Sequence, residues 1–213
     1  MPDPIFRVSQ VDMFRAWEQD PESNSGWLLK ALTSNEPTED MLRGTAFHAA
    51  LETIKVGEVD RIDSQGFTFL FDGDFTVPAA PVREVRLNKN YGGIVVSGKI
   101  DGLFGRHIID HKAAMWFDAE RYFKKYQWRY YLDIFKAEKF TWYVWEMQEH
   151  DQEPRTYTVR DLHVIEQYRY PELEQDCRAL AHRLRDFASV HMKIQSKPDI
   201  EDALMVTEED IRA

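Results

Sequence analysis

The chain has almost no cysteine: Cys177 is the single one among 213 residues. That excludes an intrachain disulfide and any site built on four thiolates, including an iron–sulfur cluster. A reducing cytoplasm fits. Positive charge is also short. Lys and Arg number 27 against 37 Asp and Glu, a formal net of −10. This is not the balance of a typical nucleic-acid binder, although affinity follows a local patch rather than the total. No apolar run approaches the length of a membrane span. The opening Met1-Pro2-Asp3-Pro4 lacks the basic-then-apolar order of a signal peptide. What is present is apolar and aromatic. Hydrophobic residues make up 43%, with six Trp and 13 Phe, which supports a sizeable core and argues against disorder.

Periodicity divides the chain. Ser9 is a candidate N-cap for a helix to about Trp17, with Val11, Phe14 and Trp17 along one side. Residues 20–26 read as a loop, followed by a short apolar helix from Trp27 to Leu32. Ser34-Asn35-Glu36-Pro37 breaks it, and Thr38 can cap a long helix over about 39–55. There Leu42, Ala46, Ala49 and Ala50 form a small apolar face, while His48 and Glu52, four apart, share another. From Val56 the period shortens. Phe67–Phe71, Val82–Leu87 and Ile94–Phe104 read as strands, separated by Asp72-Gly73-Asp74 and Asn90-Tyr91-Gly92-Gly93. A third long helix is expected from about Phe117 to Ala137, with Tyr126, Trp128 and Tyr130 in the core. Thr141–Met147 alternates as a strand, and Arg155–Val159 can pair with it. Pro171 opens a last helix to about Met192, striped by Leu173, Cys177, Leu180, Leu184 and Phe187. An acidic tail follows Pro198. No repeat and no linker demands a boundary, so residues 1–213 read as one α/β domain with a mixed sheet and helices on its faces.

The stretch Gly98–Lys112 carries the chemistry. It reads as a β-hairpin, with the apolar runs Ile94-Val95-Val96 and His107-Ile108-Ile109 flanking a Gly-rich turn. Asp101 falls late in the first strand, and Asp110 and Lys112, two apart on the second, share one face. A hairpin can bring these two carboxylates and one ammonium to one spot. Close carboxylates repel, which favours a hard cation between them, and Mg²⁺ takes oxygen ligands. The ammonium can stabilise charge building on a phosphate oxygen or help activate an attacking water. Taken alone, Asp-x-Lys is more often a solvated strand face.

Three further pieces fall in order around it, Val8-Ser9-Gln10-Val11-Asp12-Met13-Phe14, Gly44-Thr45-Ala46-Phe47-His48-Ala49-Ala50-Leu51-Glu52 and Gln127-Trp128-Arg129-Tyr130-Tyr131, and the stretch itself contains Gly98-Lys99-Ile100-Asp101. With Asp110-His111-Lys112 they resemble the RecB-like branch of the PD-(D/E)XK nuclease superfamily, across most of residues 8–131. The resemblance implies a restriction-endonuclease-like core and a metal-dependent deoxyribonuclease, most often an exonuclease acting on DNA ends in recombination or repair. It implies that His48, Asp101, Asp110 and the backbone carbonyl of His111 hold Mg²⁺ or Mn²⁺, and that Lys112 is the catalytic lysine. Gln127 and Tyr131 resemble the pair that orients the active-site helix and the DNA backbone. Glu52 is either a partner of the site or a solvated helix carboxylate. Glu84 on the preceding strand can face the site, but a surface strand charge is the more frequent case.

One departure stands out. Many relatives carry four cysteines that hold an iron–sulfur cluster, the first just after the opening helix, where this chain has Ala16-Trp17-Glu18-Gln19-Asp20-Pro21. The cluster is therefore expected to be absent, with Trp17 and Trp27 as candidates for the packing that replaces it. This favours the compact stand-alone exonucleases of phages and mobile elements, in the cytoplasm of a bacterial or phage-infected cell. Arg121, Lys124, Lys125 and Arg129, or Arg178, Arg183 and Arg185, can supply phosphate contacts, though a solvated helix face explains either cluster as well. DNA with free ends is the expected partner, and a single-strand annealing protein is a candidate second one. Some relatives form rings around DNA, but nothing in this sequence shows a ring. The alternatives are a catalytically silent DNA-end-binding module of the same fold and a structure-specific endonuclease.

Overall fold

The computed structural model describes residues 3–20, 22, 24–34, 36–53, 60–76 and 80–192. In chain order these form β1 (Ile5–Arg7), α1 (Val8–Gln19), α2 (Ser25–Thr33), α3 (Glu39–Thr53), β2 (Arg61–Ser64), β3 (Phe67–Phe71), β4 (Val82–Asn90), β5 (Val95–Phe104) and β6 (His107–Ala114). Then come α4 (Ala119–Lys124), α5 (Gln127–Ile134), β7 (Lys139–Glu149), β8 (Thr156–Tyr168) and α6 (Leu173–His191). One eight-stranded mixed sheet runs β1-β5-β6-β7-β8-β3-β2, and β4 pairs with β5. The β1–β5, β6–β7 and β3–β8 pairs are parallel, and the others antiparallel. The architecture is thus α/β with a central mixed sheet flanked by helices, as expected from the sequence and consistent with a restriction-endonuclease-like core. Among the described residues no helix is long and apolar enough to cross a membrane.

Alternation along β7 divides the core between the two faces of the sheet. Phe140, Trp142 and Val144 join α1, α5 and α6 in the larger cluster. Trp145 and Met147 join Ala46, Phe47, Ala50 and Leu51 of α3 in the smaller one. Helix α3 starts where Thr38 caps it: the Met41 N–H donates to Thr38 Oγ1 at 3.3 Å. Its Ala46 and Ala50 allow close approach to the sheet, with Phe47 packed edge-on to Phe69 and Trp145.

Several boundaries differ from the sequence reading. Ser9 lies inside α1, whose N-cap is Arg7, with the Gln10 side chain accepting from the Arg7 N–H at 2.8 Å. The loop after Asp20 ends at Asn24, which caps α2 through its side chain. The strand expected at Arg155–Val159 runs on to Tyr168, and the last helix begins at Leu173 rather than Pro171. The long helix over Phe117–Ala137 is two helices, α4 and α5, broken at Lys125 and Tyr126. The break has a distant cause. Asp12 Oδ1 on α1 accepts the N–H groups of Tyr126 and Gln127 at 2.6 and 3.3 Å, acting as the cap of α5. Trp17 packs with Phe14 and Phe187, but Trp27 is exposed, so only the first of the two candidates fills the core. The acidic tail and the expected helical end at residues 54–55 lie outside the described residues.

Strand β5 creates the site by having a divided edge. One edge pairs with β4 along nearly its whole length. The other pairs with β1 over Val95–Ser97 and with β6 over Gly102–Phe104, so residues 98–101 have no ladder partner there. Helix α5 covers part of this gap. A Cβ on Gly98 would lie 3.2 Å from the Tyr131 ring. Gly102 is tighter still, since a Cβ there would lie 2.6 Å from Ala80 Cβ and 2.7 Å from Ile109 Cγ1. Gly102→Ala is therefore expected to destabilise the fold by about 1–3 kcal/mol through overpacking. Urea unfolding against the wild-type chain checks this; an unchanged midpoint would show that the strands part freely here.

Candidate active site at the split in the sheet

The β5–β6 ladder ends at Gly102–Ile109, and the next pair in that register would be Asp101 with Asp110. There the strands part. The His111 N–H donates instead to Asp101 Oδ2 at 2.7 Å. The alternation of β5 also slips at this point: Val96, Ile100 and Leu103 all enter the larger core, a spacing of four and then three. Opposite on β4, Glu84 adopts a φ of +58°, a left-handed conformation uncommon for glutamate. A sheet with this irregularity can turn a side chain into the gap instead of leaving it on a regular pleat.

Side chains from both faces converge on that gap. From α3, His48 Nε2 lies 2.8 Å from the carbonyl oxygen of His111, and Nδ1 lies 3.4 Å from Asp101 Oδ2. Both ring nitrogens thus face oxygen acceptors; a neutral ring can donate to only one of them, and a protonated ring to both at the cost of a buried charge. Burial works against that charge, but the Asp101 hydrogen bond and its negative charge prevail and raise the His48 pKa. From β6, the Lys112 ammonium contacts Asp110 Oδ2 and lies 3.4 Å from the His111 carbonyl. From α5, Gln127 Nε2 lies 3.4 Å from Asp110 Oδ1 and 3.2 Å from Tyr131 Oη. Gln127 and Tyr131 are both buried, so they support Asp110 from beneath.

The two carboxylates are held differently. For Asp101, burial disfavours charge, but the His48 hydrogen bond and positive charge outweigh it and depress the pKa. For Asp110, only 1% exposed, burial dominates, and the Asp101 charge adds to it, so its pKa rises despite the pull of Lys112. Asp110 Oδ2 touches the Lys112 ammonium but receives no well-directed hydrogen bond. The contact and the missing hydrogen bond are compatible, because charge proximity needs no alignment. The His111 ring faces the other way. Its Nδ1 accepts from Trp145 Nε1 at 3.1 Å, and burial holds its pKa down to about 4. What His111 offers the site is its backbone carbonyl.

The donors fit a hard divalent cation in kind: two carboxylates, one carbonyl and one imidazole, with a buried carboxylate oxygen left without a directed partner. Among the described residues, no group of three or more His, Cys, Asp or Glu side chains already stands in metal-holding geometry. The His48 ring and the Lys112 ammonium instead interleave with the acceptors. A small cleft opens on the α3 side, lined by His48, Glu52, Glu84, Asp101, His111 and Arg83. Glu52 stands at it one helical turn beyond His48. Glu84 also lines it while paired with Lys99, and Arg83 Nε bonds the Ala80 carbonyl at 3.2 Å. Glu84 is exposed, as its reading as a surface charge expects, and also lines the cleft; Arg83, likewise exposed, is not singled out by the sequence. Only the β4–β5 register, which sets Arg83 against Gly102 and so Glu84 toward Asp101, brings them here.

The basic residues are mostly engaged within the fold. Arg129 stacks 4.2 Å from the Trp128 ring centroid and 4.5 Å from that of Tyr126, and bonds Tyr170 Oη and the Lys125 carbonyl. Exposed Lys124 pairs with Glu120. Arg178, Arg183 and Arg185 pair with Glu174, Glu18 and Asp186. Lys125 lies 3.6 Å from Asp12.

No protein-family model and no curated protein matches the chain. Among solved structures, it is similar to SSO0001, with a TM-score of 0.50 and 16% identity, over 91% of this chain and 79% of that one. It is also similar to LHK-Exo, solved in complex with dAMP, with a TM-score of 0.44 and 16% identity, over 86% of this chain and 89% of that one. At this identity the first likeness shows a shared fold and nothing about chemistry.

Proposed function

We propose that the protein is a metal-dependent deoxyribonuclease of the PD-(D/E)XK kind that hydrolyses phosphodiester bonds from DNA ends. The observation that carries this reading is the meeting of Asp101, Asp110, Lys112, His48 and the His111 carbonyl where β5 and β6 part. Asp101, Asp110, His48 and that carbonyl are the groups that would hold Mg²⁺ or Mn²⁺. When bound, such an ion polarises a phosphoryl oxygen and lowers the pKa of a coordinated water. Lys112 supplies a fixed positive charge beside the same carboxylates, where it stabilises negative charge developing on the phosphate. Gln127 and Tyr131 hold Asp110 in place from α5, and α3 brings His48 across from the opposite face. Exonucleolytic action, a cytoplasmic setting and a single-strand annealing partner belong to the same proposal and rest on the motif resemblance.

The test is digestion of duplexes labelled at the 5′ or the 3′ end, with Mg²⁺, with Mn²⁺ and with chelator, beside a closed circular DNA. Progressive loss of nucleotides from one end, silence in chelator and an intact circle are expected. Nicking of the circle would show an endonuclease. Binding of ends without cleavage under either metal would show a silent end-binding module.

A further inference from the structure

Just past the end of β6, Met115 and Trp116 are exposed, and Trp116 keeps 56% of its surface open to solvent. Trp116 is four residues from Lys112, a reach of at most about 14 Å of chain. Its position is fixed by its neighbour. The Phe117 ring stacks on His163 with centroids 3.8 Å apart and 6° between planes, and also lies against Tyr122. Asp118 then caps α4. The loop is anchored at Phe117, so the open Trp116 is not the by-product of a frayed end. The Arg121 guanidinium lies 5.5 Å from the Trp116 ring centroid. Two further cations, each also facing a carboxylate, share one ring at the candidate active site: Lys125 lies 3.6 Å from Asp12, and Lys112 contacts Asp110. Lys125 Nζ lies 6.0 Å from the Trp142 ring centroid and Lys112 Nζ 5.2 Å from the same ring. An indole with a cation on it, joined by further cations to a phosphodiester-cleaving site, is the pattern that binds single strands: stacking takes a base and the cations take the phosphates.

We propose that Trp116 stacks on an unpaired nucleobase of the DNA end, with Arg121 and Lys125 on the phosphates between that base and Lys112, so that the site takes single-stranded ends. This rests on the nuclease reading and adds its substrate class. Inside a duplex both faces of a base are already stacked, and a blunt end opens one face of a base still held in its pair, so an aromatic side chain gains most where a base is free of both.

The test is equilibrium binding in chelator, at fixed salt, of a labelled single strand and a blunt duplex to the wild-type chain, Trp116→Ala and Trp116→Phe. Trp116→Ala should weaken single-strand binding by about 5- to 150-fold, the range that loss of one base–aromatic stack spans. Blunt-duplex binding should change by less than about twofold, and Trp116→Phe should recover most of the loss, because it keeps a ring face. Removing one base near the strand end should cost the wild-type chain a similar factor and cost Trp116→Ala nothing more. Unchanged single-strand binding by Trp116→Ala, an equal loss on both substrates, or a persisting response to the missing base would overturn the proposal. So would a change in oligomeric state with DNA binding intact, which would make this a protein-docking surface. Because binding is read without metal, the two readings fail separately. A wild-type chain that stacks a base but never cleaves sinks the nuclease reading alone. Cleavage by the wild type with normal binding by Trp116→Ala sinks the stacking alone. No DNA binding by the wild type sinks both.

Discussion

Asp110→Asn is expected to abolish cleavage, by at least about a thousandfold, while DNA binding in chelator stays equal or tightens. The magnitude follows from the several kcal/mol of charge stabilisation a catalytic metal supplies, each 1.36 kcal/mol being about tenfold in rate. Asparagine is nearly isosteric with aspartate but is a poorer ligand for a hard cation. The binding half follows from charge. Asp110 contacts the Lys112 ammonium, and Asp101 accepts the backbone N–H of His111, so two carboxylates flank the place a phosphate must occupy. Two unit charges about 4 Å apart interact by about 4 kcal/mol at an effective dielectric of about 20, less where salt screens them. Removing one carboxylate lowers that repulsion and releases Lys112 toward the phosphate. The measurement is paired on one labelled substrate: single-turnover cleavage with Mg²⁺ and equilibrium binding in chelator. Retained cleavage would remove Asp110 from the site. Lost cleavage with lost binding and a lowered melting temperature would make Asp110 a folding residue, a real alternative for a buried carboxylate held by Gln127.

The sequence showed the parts of this site that are local and hid those that are not. Asp110 and Lys112 share a face because strands repeat every two residues, and His48 and Glu52 share one because helices repeat near 3.6. Both survive intact, as does the cap at Thr38, a purely local hydrogen bond. The division of β7 between Trp142 and Trp145 was equally legible, since each faces its own buried layer. β1 was missed because three residues are too few to show a period, and its pairing to β5 is parallel and distant in sequence. The break between α4 and α5 was missed for a related reason. Residues 117–137 carry apolar spacing that one helix would satisfy, but the carboxylate of Asp12 captures two N–H groups more than a hundred residues away in sequence. The opening motif thereby gains a role that no reading of its own composition suggests: it positions the helix bearing Gln127. Glu84 and Arg83 reach the cleft only through cross-strand register, which the alternation within β4 does not specify.

His48→Ala is expected to raise the Mg²⁺ concentration needed for half-maximal cleavage by about a hundredfold, with partial recovery in Mn²⁺ and little change in folding. Loss of an outer partner of a metal ligand costs about 10- to 100-fold in affinity, so loss of a ligand belongs at or above the top of that range. The structural separation on α3 is what makes the experiment readable. Ala46, Phe47, Ala50 and Leu51 are buried against the sheet, whereas His48 points to the split between β5 and β6 and is partly exposed. Truncating it leaves the helix's apolar contacts in place and opens no cavity among them. It also removes a group that touches both Asp101 and the His111 carbonyl, two oxygen donors that stay in position because the His111 N–H still binds Asp101 Oδ2. Those oxygens, with Asp110, remain a donor set that suits Mn²⁺ as well as Mg²⁺. Cleavage against metal concentration gives the kinetic requirement, and Mn²⁺ binding followed by electron paramagnetic resonance gives the affinity without turnover. Cleavage at the wild-type Mg²⁺ requirement, with unchanged Mn²⁺ binding, would leave His48 as a brace between α3 and β6. Loss of cooperative unfolding would show that the brace, and not the ion, is what the imidazole is for.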